Sequence, residues 1–235
     1  MKRFLRFYGA PMVIVVLGLV VAFLFMAPAP PKRVTIAGGA SGGAYAATAE
    51  NYARALRDEG VAVDVQTTNG SVDNLNRVKS RQADIAIVQT GLAADVGSNG
   101  AQSLGAVFYE PLWVFARAGR TAEQLQDLAG LRVAIGPEGS GVRVLASLLL
   151  SEVGVTEDRY TAVPLAGQAA AEALQRGEID AAMVVSGPTT AWIAALIADR
   201  NVQLMSMREA HALARRHPYL DEVPLYRGVI DLAAI

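Results

Sequence analysis

The stretch Val34-Thr-Ile-Ala-Gly-Gly-Ala-Ser-Gly-Gly-Ala-Tyr45 constrains the fold more than any other part of the chain. A β-branched run enters a glycine-dense turn, and the turn opens an Ala-rich segment, 44–56, of good helix formers without Gly or Pro. The pattern predicts strand, bare backbone and helix start. Glycines leave the amides of such a turn uncovered, and the first turn of a helix has N–H groups without internal partners and a partial positive charge. That geometry suits a small anion or a carboxylate, although one exposed helix end contributes only roughly 0.3–1 kcal/mol.

A second copy follows. With Ser41 set on Ser140, Ile36-Ala-Gly-Gly-Ala-Ser-Gly-Gly43 lies over Ile135-Gly-Pro-Glu-Gly-Ser-Gly-Val142. Further on, Arg81-Gln-Ala-Asp-Ile-Ala-Ile-Val88 parallels Gly177-Glu-Ile-Asp-Ala-Ala-Met-Val184, with Thr90-Gly91 over Ser186-Gly187. Two related units predict two related lobes, each a parallel sheet covered by helices. Ligands of such sheets bind beyond the carboxyl ends of the strands, where these turns fall, so facing lobes would enclose a cleft.

Before the first unit, Lys2, Arg3 and Arg6 precede an apolar run from Tyr8 to Ala27, about 20 residues and long enough to span a bilayer as a helix. We read residues 1–27 as a signal anchor, or transmembrane helix, and 28–32 as a Pro-rich spacer, with everything after Lys32 outside the cytoplasm. A cleaved signal ending at Ala27-Pro-Ala29 competes, which would give a secreted periplasmic protein, but Pro30 would follow the cut. The net charge of −1 becomes −4 without the three basic residues of this segment, so a nucleic-acid footprint is missing. The chain has no cysteine, hence neither disulfides nor a thiol nucleophile.

Lobe 1 is expected over residues 33–117, with a second strand at Val61–Gln66, a helix from Ser71 to about Ser80, a short strand at Asp84–Val88 and a first crossing between lobes within Leu104–Arg117. Lobe 2 is expected over 118–235. It repeats the strand at Leu131–Ile135 and the helix at Gly141–Val153, then adds Tyr160–Pro164, an Ala-rich helix, Asp180–Val185, a helix from Ser186-Gly-Pro188, and a last strand at Val202–Met205.

Several ordered motifs here resemble the TAXI family, the extracytoplasmic solute receptors of TRAP transporters: Gly39-Ala-Ser-Gly-Gly-Ala-Tyr45, Thr68-Asn-Gly-Ser-Val-Asp-Asn74, Ala83-Asp-Ile-Ala-Ile-Val-Gln89 and Arg132-Val-Ala-Ile-Gly-Pro-Glu-Gly-Ser-Gly-Val-Arg143. The resemblance implies a two-lobe periplasmic-binding-protein fold of type II and no enzyme activity. As ligand it implies a small organic anion, an amino acid or carboxylate such as glutamate, and as partner a TRAP-type permease; no cofactor or metal is implied. The family's ligand-facing loops fall on Gly42, Gly43 and Tyr45, on Thr68, Gly70, Ser71 and Asn74, on Gln89 and Thr90, and on Gly139, Ser140, Gly141 and Arg143. Ala40, Ala44, Ala46, Val142 and Ala166 stand where the family carries hydroxyls or a second tyrosine, which leaves room for a larger or more apolar acid. Family members continue past the segment resembling Leu225-Tyr-Arg-Gly-Val-Ile-Asp231, so a truncated return crossing is expected.

Each of these residues also has a purely structural reading. The glycines can serve their turns alone, Tyr45 can simply pack its ring, and Asn74 can be a surface amide. Arg143 at a helix start opposes the helix dipole, so an anion should offset it, either Glu138 or a ligand carboxylate. Two other functions compete: the same module could feed a sensory or regulatory partner, and Gly39-Ala-Ser41-Gly-Gly43 fits the nucleophile pattern of serine hydrolases. The hydrolase reading is weak, since the Ser41 loop recurs at Ser140 and the only imidazoles, His211 and His217, lie together near the C-terminus.

Overall fold

The computed structural model describes residues 2–26, 31–92, 101–120, 122–187 and 190–226, without the side chains of 2–7 and 10. The chain divides into two units, Met1–Lys32 and Arg33–Ile235. The first holds α1 (Lys2–Phe25), a helix with Pro11 inside it. The sequence predicts a transmembrane anchor here, but among the described residues no helix is long and apolar enough to cross a membrane. Pro11 divides the run, and the apolar part of α1 beyond it falls short of the ~20 residues that a bilayer crossing takes. The anchor reading, and with it the single-pass localisation and the membrane as a partner, is corrected. Residues 27–30 of the spacer lie outside the described residues.

Within the second unit, the first lobe runs β1 (Arg33–Gly39), α2 (Ala44–Asp58), β2 (Ala62–Thr67), α3 (Ser71–Lys79) and β3 (Ile85–Ala86). Its sheet has the order β2-β1-β3 and is parallel throughout. Val34 and Ile36 of β1 pack on Ala49 and Ala53 of α2, with Val63 and Val65 of β2 alongside. The alanines let α2 lie close to the sheet, and Gly38 marks the contact, since a Cβ there would meet Ala49 at 3.1 Å.

The second lobe runs β4 (Leu112–Arg117), β5 (Arg132–Ala134), α4 (Gly141–Glu152), β6 (Thr161–Val163), α5 (Gly167–Gln175), β7 (Ala181–Val185), α6 (Ala191–Ala198), β8 (Val202–Leu204) and α7 (Ala210–Arg216). Its five-stranded sheet has the order β6-β5-β7-β4-β8. Here the expectation of a mostly parallel sheet is corrected: β4 runs antiparallel to both β7 and β8, so the sheet is mixed. The Leu112–Arg117 part of the expected crossing is thus a central strand. The reason lies in its sequence, which is apolar at successive positions. Val114 and Ala116 join one core, against Leu145 and Leu149 of α4, while Trp113 and Phe115 join the other, against Leu174 of α5 and Ile193 of α6. A strand buried on both faces reads as an unbroken apolar run. Helix α6 begins at Ala191 behind an N-cap at Thr190, and Pro188, the expected first residue, lies outside the described residues.

The repeated aspartates have one job in each lobe. Asp84 accepts the Thr35 amide of β1 at 2.8 Å and donates its own amide to the Thr35 carbonyl. Asp180 does the same at Arg132 of β5, 3.0 Å from that amide, and adds ion pairs to the Arg132 and Arg120 guanidinium groups. Each aspartate clamps the base of the first parallel strand of its unit, β1 or β5, to the strand that the aspartate precedes, β3 or β7, with the glycine turns left at the opposite end.

Candidate functional site

Three helix starts converge where the lobes meet. Gly70, at φ +122°, stands against Ser140 of the second lobe, so close that a Cβ would lie 3.2 Å from the Ser140 Cα. Gly141 lies against Ser71 and Gln89 of the first lobe, where an added Cβ would fall 2.3 Å from the Gln89 Oε1 and 2.9 Å from the Ser71 Oγ. Gly70 is needed because two backbones approach each other across the lobe boundary, and Gly141 because the Ser71 and Gln89 side chains press against it. The third start is that of α2, tied in through Tyr45, whose hydroxyl lies 3.5 Å from the Ser71 Oγ.

The three starts are not equivalent. At α3, the Val72 and Asp73 amides donate to the Gly139 carbonyl of the other lobe at 3.1 and 3.3 Å. Its orphan donors are therefore spent on joining the lobes. At α4, the Ser140 Oγ accepts the Arg143 amide and donates to the Pro137 carbonyl at 2.7 Å, a self-contained cap. At α2, the N-cap is Gly43, which offers no side chain, and Ser41 and Gly42 before it are exposed. The amides of Ala44, Tyr45 and Ala46 lack intrahelical partners by the geometry of any helix start. The helix start left open, with neither a side-chain cap nor a partner from the other lobe among the described residues, is that of α2.

Of the residues expected at a ligand, Thr68 and Asn74 turn inward. Asn74 is fully buried; its amide donates to the Ile87 carbonyl at 2.7 Å and its carbonyl accepts the Thr68 hydroxyl. Ser71 is buried as well and accepts the Gln89 amide at 3.0 Å. Thr90 is exposed. Arg143 is half-buried, and its guanidinium donates to the Gly136 carbonyl at 3.2 Å; it forms no ion pair with Glu138. One carbonyl leaves most of the five guanidinium donors for another acceptor.

Glu110 is the neighbour that sequence reasoning missed. Its carboxylate accepts the Tyr45 hydroxyl at 2.6 Å, and the Tyr45 ring faces Phe108 with centroids 6.1 Å apart. Burial, then the carboxylate's charge, pushes the Tyr45 phenol well above its ordinary range. Burial likewise pushes the Glu110 carboxyl up, and the Tyr45 hydrogen bond offsets part of this. The available signal was the one carboxylate in the apolar run 104–117, directly before Pro111.

Residues 36–225 match the NMT1-like family. The chain belongs to that family. Its fold is that of two-lobe periplasmic binding proteins, as the solved structures agree. The alkanesulfonate-binding protein SsuA of Xanthomonas axonopodis pv. citri, bound to MOPS, matches with a TM-score of 0.51 at 18% identity, over 82% of this chain and 70% of that one. A protein of Bordetella bronchiseptica RB50 matches with a TM-score of 0.58 at 21% identity, over 74% of this chain and 56% of that one. The amino acid ABC transporter substrate-binding protein AbpA of Streptococcus pneumoniae, bound to L-arginine, matches with a TM-score of 0.52 at 17% identity, over 75% and 76%. The TAXI resemblance holds at the level of the two-lobe solute-binding fold, nothing in the family match is particular to TAXI receptors, and the TRAP permease partner that rested on it is withdrawn.

His211 faces Glu222 at 3.1 Å, and His217 lies between Glu152, at 3.6 Å, and the Tyr219 ring. No hydrogen bond among the described residues joins Ser41 to either imidazole. Among the described residues no group of three or more His, Cys, Asp or Glu could hold a metal ion.

Proposed function

We propose that this NMT1-like protein is an exported ligand-binding module that captures a small anion, a carboxylate or sulfonate, between its lobes. The observation that carries the reading is the open start of α2 beside a lobe junction built from glycines. An acid group would accept the amides of the Gly42-Gly43 turn and of Ala44–Ala46, with Tyr45, Gln89 and Thr90 around it on the first lobe. Arg143 would supply the counter-charge from the second lobe, as a guanidinium suits a planar or tetrahedral acid group. Gly70, Ser71, Gly139, Ser140 and Gly141 would then form the seam that closes over the ligand, while Thr68 and Asn74 hold the first lobe's edge in shape. The ligands of the similar structures, a sulfonate-type buffer and L-arginine, agree with this chemical class without fixing the compound. The basic-then-apolar first segment supports export. A ligand-binding module of this kind can report to a regulatory partner as readily as to a transporter.

The test is a thermal-shift screen of the full chain against alkanesulfonates, dicarboxylates and amino acids, followed by calorimetry. A true ligand at 100 times its Kd should stabilise the fold by about 2.7 kcal/mol. Arg143→Ala should weaken that ligand ~10-fold or more, as expected for the loss of a charge-assisted contact. No shift with any of these acids would refute the proposal.

A further inference from the structure

We infer that Glu110 selects ligands carrying a cationic group next to their acid group, an amino acid or an aminosulfonate rather than a plain acid; the inference rests on the binding reading above. Glu110 ends the connection between the lobes, two residues before β4, and the structure gives its carboxylate one partner, the Tyr45 hydroxyl at 2.6 Å. No Lys, Arg or His among the described residues forms an ion pair with it. Removing a carboxylate from water is costly unless charge and hydrogen bonds compensate, and one neutral hydroxyl compensates only in part. Other buried or half-buried carboxylates of this fold have a cation or backbone amides: Asp73 is paired with Arg77 and Asp180 with Arg120 and Arg132, while Asp127 accepts the Glu123 and Gln124 amides and Glu209 the Leu125 amide; Glu110 has neither among the described residues. The missing partner of Glu110 is a cation.

Its position says where that cation comes from. Tyr45 is the second residue of α2, so the group that holds Glu110 grows from the same turn whose amides are open. The same hydroxyl lies beside Ser71, which backs on Gly141 of the other lobe. An acid group on the α2 amides and an ammonium on Glu110 would thus be bridged by one tyrosine side chain. Tyr45 positions the carboxylate and Glu110 reads the charge. A plain carboxylate or sulfonate would leave Glu110 unpaired in the closed form and face its repulsion.

Calorimetry with two matched pairs tests this: L-glutamate against glutarate, and taurine against ethanesulfonate. In the wild-type chain the amino member of at least one pair should bind ~10-fold or more tightly than its deaminated partner, as a desolvated charge pair warrants. Glu110→Gln, which keeps the shape and the Tyr45 contact, should bring the ratio to about threefold or less while the deaminated member still binds; Tyr45→Phe should shrink the ratio in the same direction. Equal or tighter binding of the deaminated members, or a ratio unmoved by Glu110→Gln, overturns the inference and leaves anion capture standing. Failure of all four compounds to bind the wild type overturns it as well, and the wider screen then decides whether anion capture survives.

Discussion

The Asn74 side chain spends both ends of its amide inside the first lobe, donating to the Ile87 carbonyl and accepting from Thr68. Asn74→Ala strands two buried groups, each costing roughly 1–3 kcal/mol, so the variant should lose about 2–4 kcal/mol of stability in urea titration. A loss below ~0.5 kcal/mol would mean that water reaches both groups. Asp180 carries a pH-dependent share of stability. Hydrogen bonding from Arg132, with the charges of Arg132 and Arg120, holds its carboxyl below the usual range. A depressed folded-state value means that the stabilisation is complete above the unfolded value, near pH 4, and is lost as pH falls through the folded one. Comparing urea midpoints at pH 7 and pH 3, Asp180→Asn should be the less stable protein at pH 7 and show the smaller loss on acidification.

At the scale of elements, the cap of α4 offers a direct comparison with α2. Ser140 caps its own helix, so Ser140→Ala should cost about 1 kcal/mol in thermal denaturation, whereas the glycine cap of α2 leaves nothing comparable to remove. That difference was not legible in the sequence, where Ser41 and Ser140 occupy matching places in a repeat. The strand, turn and helix order was legible, because glycine placement and β-branched runs report local backbone demands directly. The aspartate clamp was half legible: the repeat paired Asp84 with Asp180, but only the fold shows both facing a strand backbone. The antiparallel β4 was hidden because an apolar run buried on two faces carries no mark of its direction. The inward turn of Asn74 and Thr68 was hidden for a related reason, since polar residues beside a glycine turn look alike whether they face outward or brace the turn. The Tyr45–Glu110 contact was invisible because the two residues are distant in sequence and meet only once α2 is docked.

For the molecule as a whole, the question is what holds the lobes together, and Gly141 allows it to be separated from the stability of each lobe. Gly141 is the first residue of α4 and its φ is not positive, so alanine there meets no backbone strain in its own lobe and is a better helix former. Across the boundary the picture reverses, because the added methyl would collide with Ser71 and Gln89. Gln89 can swing its amide away, but Ser71 is buried and fixed by the Gln89 amide. Gly141→Ala should therefore leave the melting of the lobes within about 1 kcal/mol of wild type while shifting the population toward separated lobes. Separation breaks the bonds from the Val72 and Asp73 amides to the Gly139 carbonyl, so these two amides should exchange hydrogen faster in the variant. If only a tenth of the molecules remained closed, the apparent Kd for a ligand held by both lobes would rise ~10-fold, because the binding-competent fraction divides the intrinsic constant. Faster exchange with unchanged affinity would place the ligand on the first lobe alone; unchanged exchange would mean that the seam tolerates the methyl and that closure is set elsewhere.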